Sequence, residues 1–524
     1  MQYESLVEYG SRRAIITVLA IICTILEIVD TTIVNVALTD MKGNLGATTT
    51  EIGWVITAYA IGNVIVVPLT SWLSQQFGRR NYFAASIAIF TIFSFLCGNS
   101  TGLWELVIFR FMQGLGGGAL LVTSQTILTE SYPYEKRSMA QAIYGMGVVV
   151  GPTLGPPLGG YITDNFSWPY IFYINIPLGI IAILLTLQYV KSPKYAERNR
   201  MGDIDWLGIA LLAIFVGSLQ YVLEKGQDDD WFNDSVIIAF TVISCLGFFF
   251  FLWRELIYRK PVVNLRVLKN GNLRVGTILS FILGFGLYGS TFIIPLYTQS
   301  SLGWTATQAG LLLVPSALTT AFMMPIIGKL LQKGVRQQYL VALGMLLFFF
   351  YSVWGYKILT PDTSEEAFFW LLILRGFAMG MLFVPITTLA LSTLNGREIG
   401  EGASFTGMMR QLGGSFGIAV ITTFMARKSM IHRNDLVSKL DITDPVLQNK
   451  ILAFQHSFIA KGMTPDVALK SAYKALDYSV FRQAAVMTYM DVFLFIGLLF
   501  LICVPFVLLV RGNRNKKMTM EGLH

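Results

Sequence analysis

The sequence predicts an all-helical integral membrane protein of about fourteen transmembrane helices. Of its 524 residues, 54% are hydrophobic and only 13% are charged, with a mean hydropathy of +0.60, which is far from the balance of a soluble protein. Apolar runs of about 18 to 25 residues recur along the chain, and each can cross a ~30 Å hydrocarbon core as a helix. Basic residues collect in alternate loops, as they do on the cytoplasmic side of membrane proteins.

The apolar runs place the predicted helices along the chain. The first run follows Arg12 and Arg13 and continues to Leu38 without a small-residue cleavage site, so we interpret it as a retained span rather than a signal peptide. The predicted spans are 14–37, 51–73, 82–99, 103–128, 139–162, 169–190, 205–223, 234–256, 273–298, 306–331, 338–357, 367–392, 400–425 and 486–510.

A weak internal repeat divides these spans into two halves. LVIFRFMQGLGGGALLV (106–122) recurs loosely as LLILRGFAMGMLFV (371–384), with Arg110 matched by Arg375. The glycines at 145, 151 and 155 are matched by Gly407, Gly413 and Gly417. Transporters are often built from such repeats. The resulting domain prediction is an N-terminal six-helix bundle (14–190), two inserted transmembrane helices (203–256) and a C-terminal six-helix bundle (270–510).

The basic residues predict that both termini are cytoplasmic. The tails are then 1–13 and a basic segment, 511–524, and the short loops of the other side hold few basic residues. A long extracytoplasmic loop is predicted at 426–484, where TPDVALKSAYKAL (464–476) has the cap and apolar spacing of an amphipathic helix. The basic positions on the cytoplasmic side are Arg79, Arg80, Lys136, Arg137, 191–200, 254–274, Lys329, Lys333, Arg336, Arg397 and 511–517.

Two carboxylates lie inside the first predicted span. Placing the charged side chain of Glu27 or Asp30 at such a position costs about 2.5 to 3.5 kcal/mol each. We therefore expect each carboxylate to pair with another group or to have a role in function. They are three residues apart and share a helix face. Arg110 lies at a similar depth in the fourth span, so we predict that it holds one carboxylate ionised. A static pair that only fixes helix packing is the alternative.

The fifth predicted span has a glycine face interrupted by prolines. In GMGVVVGPTLGPPLGGYI (145–162), glycines recur every four residues and would let a second helix approach closely. The prolines weaken the helix, so a hinge or antiport role and helix packing alone are both interpretations of this run. The positions concerned are Gly147, Gly151, Pro152, Gly155, Pro156, Pro157 and Gly159.

These motifs together resemble those of the major facilitator superfamily. The glycine–proline run resembles the antiporter signature of its drug exporters, and the run with Arg110, Gln113 and Gly114 resembles its conserved-arginine motif. VDTTIVNVAL (29–38) resembles the first-helix signature of fourteen-span drug:proton antiporters of the EmrB/QacA type, and the likeness is greatest to the EmrB branch. The resemblance covers almost the whole chain and implies the major facilitator fold.

One motif departs from the superfamily pattern. The loop between the second and third helices normally carries an Asp, but SWLSQQFGRR (71–80) has Gln75 there and Ser71 at the preceding Gly position. A charge lock that uses this Asp is therefore doubtful. Gly78, Arg79 and Arg80 remain and are expected to anchor the cytoplasmic face.

The resemblance also implies a mechanism, a location and partners. We expect a proton-coupled multidrug exporter of the inner membrane that works by alternating access, with Asp30 as the first choice for the proton carrier and Glu27 as the second. An EmrB-type pump would meet a periplasmic adaptor that leads to an outer-membrane channel. The alternative for segment 426–484 is helices that lie on the membrane surface. No nucleic-acid partner is expected.

The substrates are expected to be amphipathic and often cationic, because aromatic and Met-rich cavities with a carboxylate suit such molecules. Arg375 and Arg410 lie inside apolar spans, where they would pair with carbonyls or with Asp491, and they could also favour an anionic substrate. The residues predicted to line the cavity are Asn35, Trp54, Tyr59, Gln125, Tyr144, Tyr288 and Gln299.

Other functions remain as alternatives. The same transport mechanism could be dedicated to one native substrate, such as a fatty acid, bile salt or siderophore. A membrane-embedded enzyme would need a cluster of catalytic or metal-binding side chains, but the three histidines, His432, His456 and His524, lie outside the predicted spans. A channel or sensor would not need the antiport run.

No phosphate-binding loop occurs, so protons are the expected energy source, with no cofactor and no metal.

Overall fold

The computed structural model describes residues 6–193, 204–258, 260–441 and 443–509, and no strand occurs within these ranges. The predicted tail 511–524, residues 194–200 of the basic cluster, Arg259 and the first five residues lie outside them. The helices are α1 (Gly10–Leu45), α2 (Thr49–Ile52), α3 (Trp54–Phe77), α4 (Arg79–Gly98), α5 (Leu103–Ser131), α6 (Arg137–Asn165), α7 (Tyr170–Tyr173), α8 (Asn175–Tyr189), α9 (Trp206–Lys225), α10 (Ser235–Ile257), α11 (Gly271–Leu302), α12 (Ala306–Leu311), α13 (Val314–Gln332), α14 (Gln337–Ile358), α15 (Glu365–Leu391), α16 (Arg397–Ser438), α17 (Pro445–Ala460) and α18 (Pro465–Leu509).

Twelve of the predicted spans coincide with helices or helix pairs that are long and apolar enough to cross a membrane, among the residues described. The other two are α6 and α16, which have 29 and 42 residues. Their glycines and polar side chains lower the hydropathy, yet both helices lie in the bundle, where α6 packs on α1 and α13, and α16 packs on α11 and α3. The predicted fold class, with about fourteen spans, is therefore confirmed.

The two halves of the bundle use the same helix pairings. The first helix of each half packs on the fifth, the second on the fourth, and the third on the fourth. These pairs are α1–α6, α3–α5 and α4–α5 in the N-terminal half, and α11–α16, α13–α15 and α14–α15 in the C-terminal half. The weak sequence repeat thus corresponds to a repeated helix packing.

Each half also repeats the turn that follows its first helix. Gly46 ends α1 with a φ of 62°, and Gly303 ends α11 with a φ of 73°, a left-handed conformation that glycine adopts without strain. Two residues later, Thr48 forms a capping box with Glu51, and Thr305 forms one with Gln308. These matched turns reverse the chain and start the second helix of each half.

The glycine faces bring the fifth helix of each half against the first. A Cβ atom at Gly151 would lie 2.6 Å from Cγ2 of Ile28, and one at Gly147 would lie 3.0 Å from Cγ2 of Thr24. In the second half, a Cβ atom at Gly417 would lie 3.1 Å from Cα of Phe285. Side chains at these positions would push α1 and α11 outward, so the glycines set the helix separation.

The halves touch at both ends of the bundle. At the end that carries the basic loops, here called the basic face, Tyr134 donates a hydrogen bond to the carbonyl of Ser392 (3.1 Å) and Arg137 donates one to that of Leu394 (3.2 Å). At the opposite face, Pro156 of α6 lies against Gly310 of α12. The centre of the bundle is therefore covered from both sides.

The inserted pair lies beside the junction of the two halves. α9 packs on α3 of the N-terminal half and on α16 of the C-terminal half, whereas α10 packs on α9. Arg254 and Asp205 form an ion pair (3.1 Å) that joins the two inserted helices at the basic face. Most large apolar side chains of α10 are exposed, as expected for a helix that faces lipid.

The segment 426–484 is mostly helical, as its amphipathic pattern predicts, and its extracytoplasmic position stays a prediction. α16 continues to Ser438, α17 follows, and α18 already begins at Pro465. α17 packs on α18, so the amphipathic pattern is used in helix pairing rather than in an irregular chain. Asp491 on α18 binds Lys428 and His432 on α16, both at 3.0 Å, which ties the extensions together.

Candidate functional site

Asp30 is held by donors from two other helices. Its Oδ2 atom accepts a hydrogen bond from Nη1 of Arg110 at 2.6 Å, and its Oδ1 atom accepts from Gln113 at 3.0 Å and from Asn175 at 2.7 Å. Both members of the ion pair are buried, with exposed fractions of 0% for Asp30 and 1% for Arg110. The carboxylate thus has the counter-charge and the donors that a buried ion needs.

The arginine is enclosed as completely as the carboxylate. Its guanidinium also donates to Gln113 Oε1 (2.8 Å) and lies 4.1 Å from the centre of the Tyr59 ring. Gly114 makes this stacking possible, because a Cβ atom there would meet the backbone of α3 at Tyr59 and Asn63. The conserved-arginine run therefore combines a charge with the close helix approach that allows an aromatic ring beneath it.

Glu27 lies about one turn before Asp30 and has a different environment. Its Oε1 atom accepts one hydrogen bond, from Asn63 Nδ2 at 2.8 Å, while Oε2 has no hydrogen-bond partner among the residues described. The side chain is buried, with 4% of its surface exposed. An ionised carboxylate here would lack the compensation that Asp30 has.

Residues from both halves of the bundle surround Glu27. Asn63 accepts a hydrogen bond from Gln411 of the C-terminal half at 2.9 Å. The adjacent Arg410 is buried, donates to the Tyr144 hydroxyl of the N-terminal half at 3.1 Å, and lies within electrostatic reach of Glu27. Its Nη1 atom has no partner within the described part of the chain. Glu27 therefore faces the boundary between the halves, whereas Asp30 lies inside one half.

The predicted antiport run lies directly beside these carboxylates. Gly147, Gly151, Gly155 and Gly159 all face α1, and Gly151 contacts Ile28, the residue after Glu27. α6 stays one helix through its three prolines. The run thus fixes how deeply α1 lies in the bundle, and its role as a hinge stays a prediction.

The motif at the basic face is completed by a residue that the sequence comparison did not single out. Gly78 joins α3 and α4 with a φ of 81°, and Arg79 forms a buried ion pair with Glu130 at the end of α5. Gln75, which replaces the usual Asp, donates to Ser71 at 3.3 Å instead. Arg80 is exposed. Glu130 therefore supplies the counter-charge for Arg79.

Only part of the predicted cavity lining lies at the centre. Tyr59 is under Arg110, Tyr144 binds Arg410, and Tyr288 lies against Gly414 near the same guanidinium. Of the other predicted residues, Gln125 donates to Gln141 at 2.9 Å, Trp54 stacks on Tyr221 with ring centres 5.5 Å apart, and Asn35 and Gln299 are exposed, so that their place in a substrate cavity stays a prediction.

Carbonyls and Asp491 are the two kinds of partner predicted for Arg375 and Arg410, and of these only a carbonyl occurs among the residues described, that of Leu287, which accepts from Arg375 at 3.4 Å. Asp491 lies beside the extension of α16 and binds Lys428 and His432, away from both arginines. Arg375 is buried and donates to the hydroxyls of three residues on α11 and α13, Ser290, Ser316 and Thr291, at 2.9, 2.9 and 2.5 Å. The second half thus keeps the arginine of the repeat but surrounds it with hydroxyls rather than a carboxylate.

Comparisons with known proteins identify the family. The model of the Major Facilitator Superfamily matches residues 20–418. The chain belongs to this superfamily. It is 34% identical over 448 residues to the multidrug export protein EmrB of Escherichia coli K12, which covers 86% of this chain and 87% of that protein. It is also 34% identical over 505 residues to the fatty acid resistance protein FarB of Neisseria gonorrhoeae, covering 96% and 97%.

A solved structure shares the fold of this superfamily member. The human organic anion transporter MFSD10 (TETRAN) matches with a TM-score of 0.54 over 93% of this chain and 99% of that one, at 14% sequence identity. The predicted resemblance to EmrB-type members of the superfamily is confirmed. The chain is a membrane transporter rather than an enzyme.

The sequence reading missed the amides of the site. Asn63, Asn175 and Gln411 hold or connect the two carboxylates, and none was singled out as a site residue. Each is an isolated polar residue inside an apolar span, a type of position that is costly unless the side chain has a partner. The sequence therefore indicates that these three side chains have partners, but it does not indicate which ones.

The Asp30 environment predicts a large cost for neutralising one partner alone. Asp30→Asn should sharply lower the yield of monodisperse protein, because it leaves a buried cation without its counter-charge, a loss of about 3 to 5 kcal/mol. Asp30→Asn combined with Arg110→Gln should recover much of that yield. Size-exclusion profiles and thermal inactivation in detergent measure both effects. A single Asp30→Asn variant as stable as the unmodified protein would contradict a structural ion pair.

Proposed function

We propose that the chain exports amphipathic, mainly cationic, toxic compounds in exchange for protons, by alternating access of its two halves. The observation that carries the proposal is the environment of Glu27, a buried carboxylate at the boundary of the halves with one oxygen unpartnered among the residues described. This assigns the proton to Glu27 rather than to Asp30, which the sequence pattern favoured. Asp30 instead holds Arg110 in place.

The coupling follows from the cost of an uncompensated charge. An ionised Glu27 inside the bundle must be neutralised, either by a proton or by a cationic substrate. The two ligands therefore compete for one carboxylate, so that binding of the substrate releases the proton and binding of the proton releases the substrate. One proton then enters for each monovalent cation that leaves, so the exchange moves no net charge and is driven by the pH gradient, which supplies about 1.4 kcal/mol per pH unit.

The relatives and the aromatic centre support this substrate class. The Escherichia coli relative is named a multidrug export protein, and a relative in Acinetobacter baumannii, 31% identical over 408 residues, is named a colistin resistance protein. Tyr144, Tyr288 and Phe383 surround the central guanidinium and offer ring faces to apolar parts of a substrate. Aromatic faces also attract cations.

The location and partners belong to the same proposal. The chain would lie in the inner membrane with both termini cytoplasmic, and the helical segment 426–484 would meet a periplasmic adaptor that leads to an outer-membrane channel. Several large apolar side chains of that segment are exposed, including Val446, Tyr473 and Tyr478, which suits a protein partner. The alternative is that these side chains rest on the membrane surface.

Neutralising Glu27 should uncouple transport from the pH gradient. In liposomes with an imposed pH gradient and a cationic dye, Glu27→Gln should slow gradient-driven transport by about tenfold or more, the factor that goes with about 1.4 kcal/mol. Dye exchange without a gradient should continue, because the substrate path remains. Asp40→Asn is the matched control, since Asp40 is an exposed acid on the same helix. A folded Glu27→Gln variant with the full gradient-driven rate would refute the proposal.

A second candidate substrate is an anionic amphiphile, such as a fatty acid. Arg410 favours it, because this buried guanidinium has a nitrogen without a partner in the described ranges and no carboxylate within ion-pair distance there. An anion at Arg410 would, however, disfavour an ionised Glu27, so anion and proton would bind together. An inward proton gradient would then oppose export, which is why the cationic substrate is the main candidate.

Replacing Arg410 separates the two substrate classes. If Arg410 holds a substrate carboxylate, Arg410→Gln should weaken laurate binding by about tenfold or more, since a charge-assisted hydrogen bond contributes about 1.5 to 3 kcal/mol. Binding of a cationic dye should change by less than about twofold. Fluorescence competition titrations measure both affinities. An equal loss for laurate and dye would mean that Arg410 acts through the protein and not on the substrate.

A further inference from the structure

The side chains that face the junction between α9 and α16 continue the polar contacts of Glu27 toward one face of the bundle. Glu27 binds Asn63 (2.8 Å), and Asn63 binds Gln411 of α16 (2.9 Å). One turn farther along α16, Ser415 accepts a hydrogen bond from Gln220 of α9 (2.9 Å), and Gln220 also donates to Glu224 at 2.8 Å. These six residues form a row, here called the polar row, between the centre of the bundle and the end of α9.

The row leads to the face opposite the basic face. Glu224 lies in the last turn of α9, and the neighbouring Lys225 ammonium lies 3.0 Å from the Cβ position of Gly53, at the start of α3. Glu224 is half-buried, and the following turn carries Asp228, Asp229 and Asp230. The row therefore begins at an acidic surface, which attracts cations such as hydrated protons.

One step of the row lacks a direct hydrogen bond. Gln411 and Ser415 are four residues apart on α16, so their side chains lie on one helix face about 5 to 6 Å apart. Gln220 has 1% of its surface exposed, and its Oε1 atom has no partner among the residues described, like Oε2 of Glu27. The buried acceptor of Gln220 lies on the residue that binds Ser415 at one side of this step, and that of Glu27 lies at the inner end of the row, so each is a suitable partner for water.

We propose that the inserted pair α9–α10 serves as a proton pathway between the face opposite the basic face and Glu27. A proton from bulk water binds Glu224, passes along water molecules held by Gln220, Ser415, Gln411 and Asn63, and ends on the Glu27 carboxylate. The amides and the hydroxyl orient the water and are not themselves protonated, so only Glu224 and Glu27 change protonation. This inference depends on the proposed function, because it requires Glu27 to be the proton carrier.

The polar row is expected to be continuous in only one conformational state of the transporter. The Asn63–Gln411 contact joins the two halves, and α9 rests on both α3 and α16. Any rocking motion that separates α3 from α16 would break that contact and interrupt the row. The substrate path between the halves and the proton path along α9 would thus be open in different states, which prevents a proton leak during substrate passage.

The alternative is that the inserted pair only supports the bundle. The inserted pair also contacts the halves without the row. Tyr221 of α9 stacks on Trp54, and Trp231, in the connection between α9 and α10, donates from Nε1 to Thr423 of α16 at 2.9 Å. A purely supporting role makes no distinction between these contacts and Gln220. Trp231→Phe is therefore the matched control, since it also removes one hydrogen bond between the inserted pair and α16.

The test compares two modes of transport in liposomes containing the full-length protein and a cationic dye. Gln220→Leu should reduce pH-gradient-driven transport by about tenfold or more while dye exchange without a gradient changes by less than about twofold. Gln220→Glu should restore gradient-driven transport, because it can again order water. Ser415→Ala, which removes a hydroxyl without adding bulk, should reduce the same rate if Gln220→Leu folds poorly. Trp231→Phe should leave both modes unchanged.

The outcomes separate this inference from the proposed function. If Gln220→Leu and Ser415→Ala keep the full gradient-driven rate while Glu27→Gln loses it, the pathway is refuted and proton coupling at Glu27 stands. If Gln220→Leu and Trp231→Phe lose both transport modes to the same extent, the inserted pair is a structural support and the pathway is also refuted. If Glu27→Gln keeps the full rate as well, both proposals fail.

Discussion

A charge inside an apolar bundle has to be compensated, and the ion pair between Asp30 and Arg110 is where this protein satisfies that constraint most fully. The carboxylate has three donors, and the guanidinium has a counter-charge, an amide acceptor and a ring beneath it. Glycine at 114 allows α3 to approach closely enough to supply that ring. With this pair fixed, α1 and α5 form a rigid part of the N-terminal half, on which the neighbouring Glu27 is carried.

At the centre of the molecule, by contrast, two buried charged groups lack full compensation. Glu27 and Arg410 carry opposite charges on opposite halves, each is buried, and neither has a full set of partners in the described residues. Such groups are costly in a static structure. They are useful in a transporter, because a proton or a charged substrate that binds between the halves contributes the missing compensation. The second arginine of the repeat, Arg375, shows the contrast, because three hydroxyls and the carbonyl of Leu287 accept its hydrogen bonds.

Much of this architecture can be predicted from the sequence, because membrane helices must satisfy their own backbone groups and must be apolar and long. The apolar runs 139–162 and 400–425 identify α6 and α16 as spans in the same way, although glycines and polar side chains lower the hydropathy of both helices. The same glycines correctly indicate a close helix approach, as Gly151 against Ile28 illustrates. Helix position alone does not decide whether the exposed Asn35 and Gln299 face a substrate cavity.

The partners of the buried charges could not be predicted in this way. Depth in a span suggests that Arg110 is level with the first-helix carboxylates, but it cannot decide between Glu27 and Asp30, which share a face. Two amides from other helices distinguish the two carboxylates, because Asn175 donates to Asp30 and Asn63 donates to Glu27. The partners of Asp491 could not be predicted either, because they lie on a part of α16 that continues past the predicted end of its span at 425 and carries Lys428 and His432.

Competition between a proton and a cationic substrate for Glu27 is the central claim of this account. It is tested most directly by measuring proton release with a pH-indicator dye when a cationic substrate is added to the detergent-solubilised, weakly buffered protein. The account predicts that the unmodified protein releases protons on binding and that Glu27→Gln, which still binds the substrate, releases none. Equal release from both proteins, or proton uptake by the unmodified protein, would contradict it.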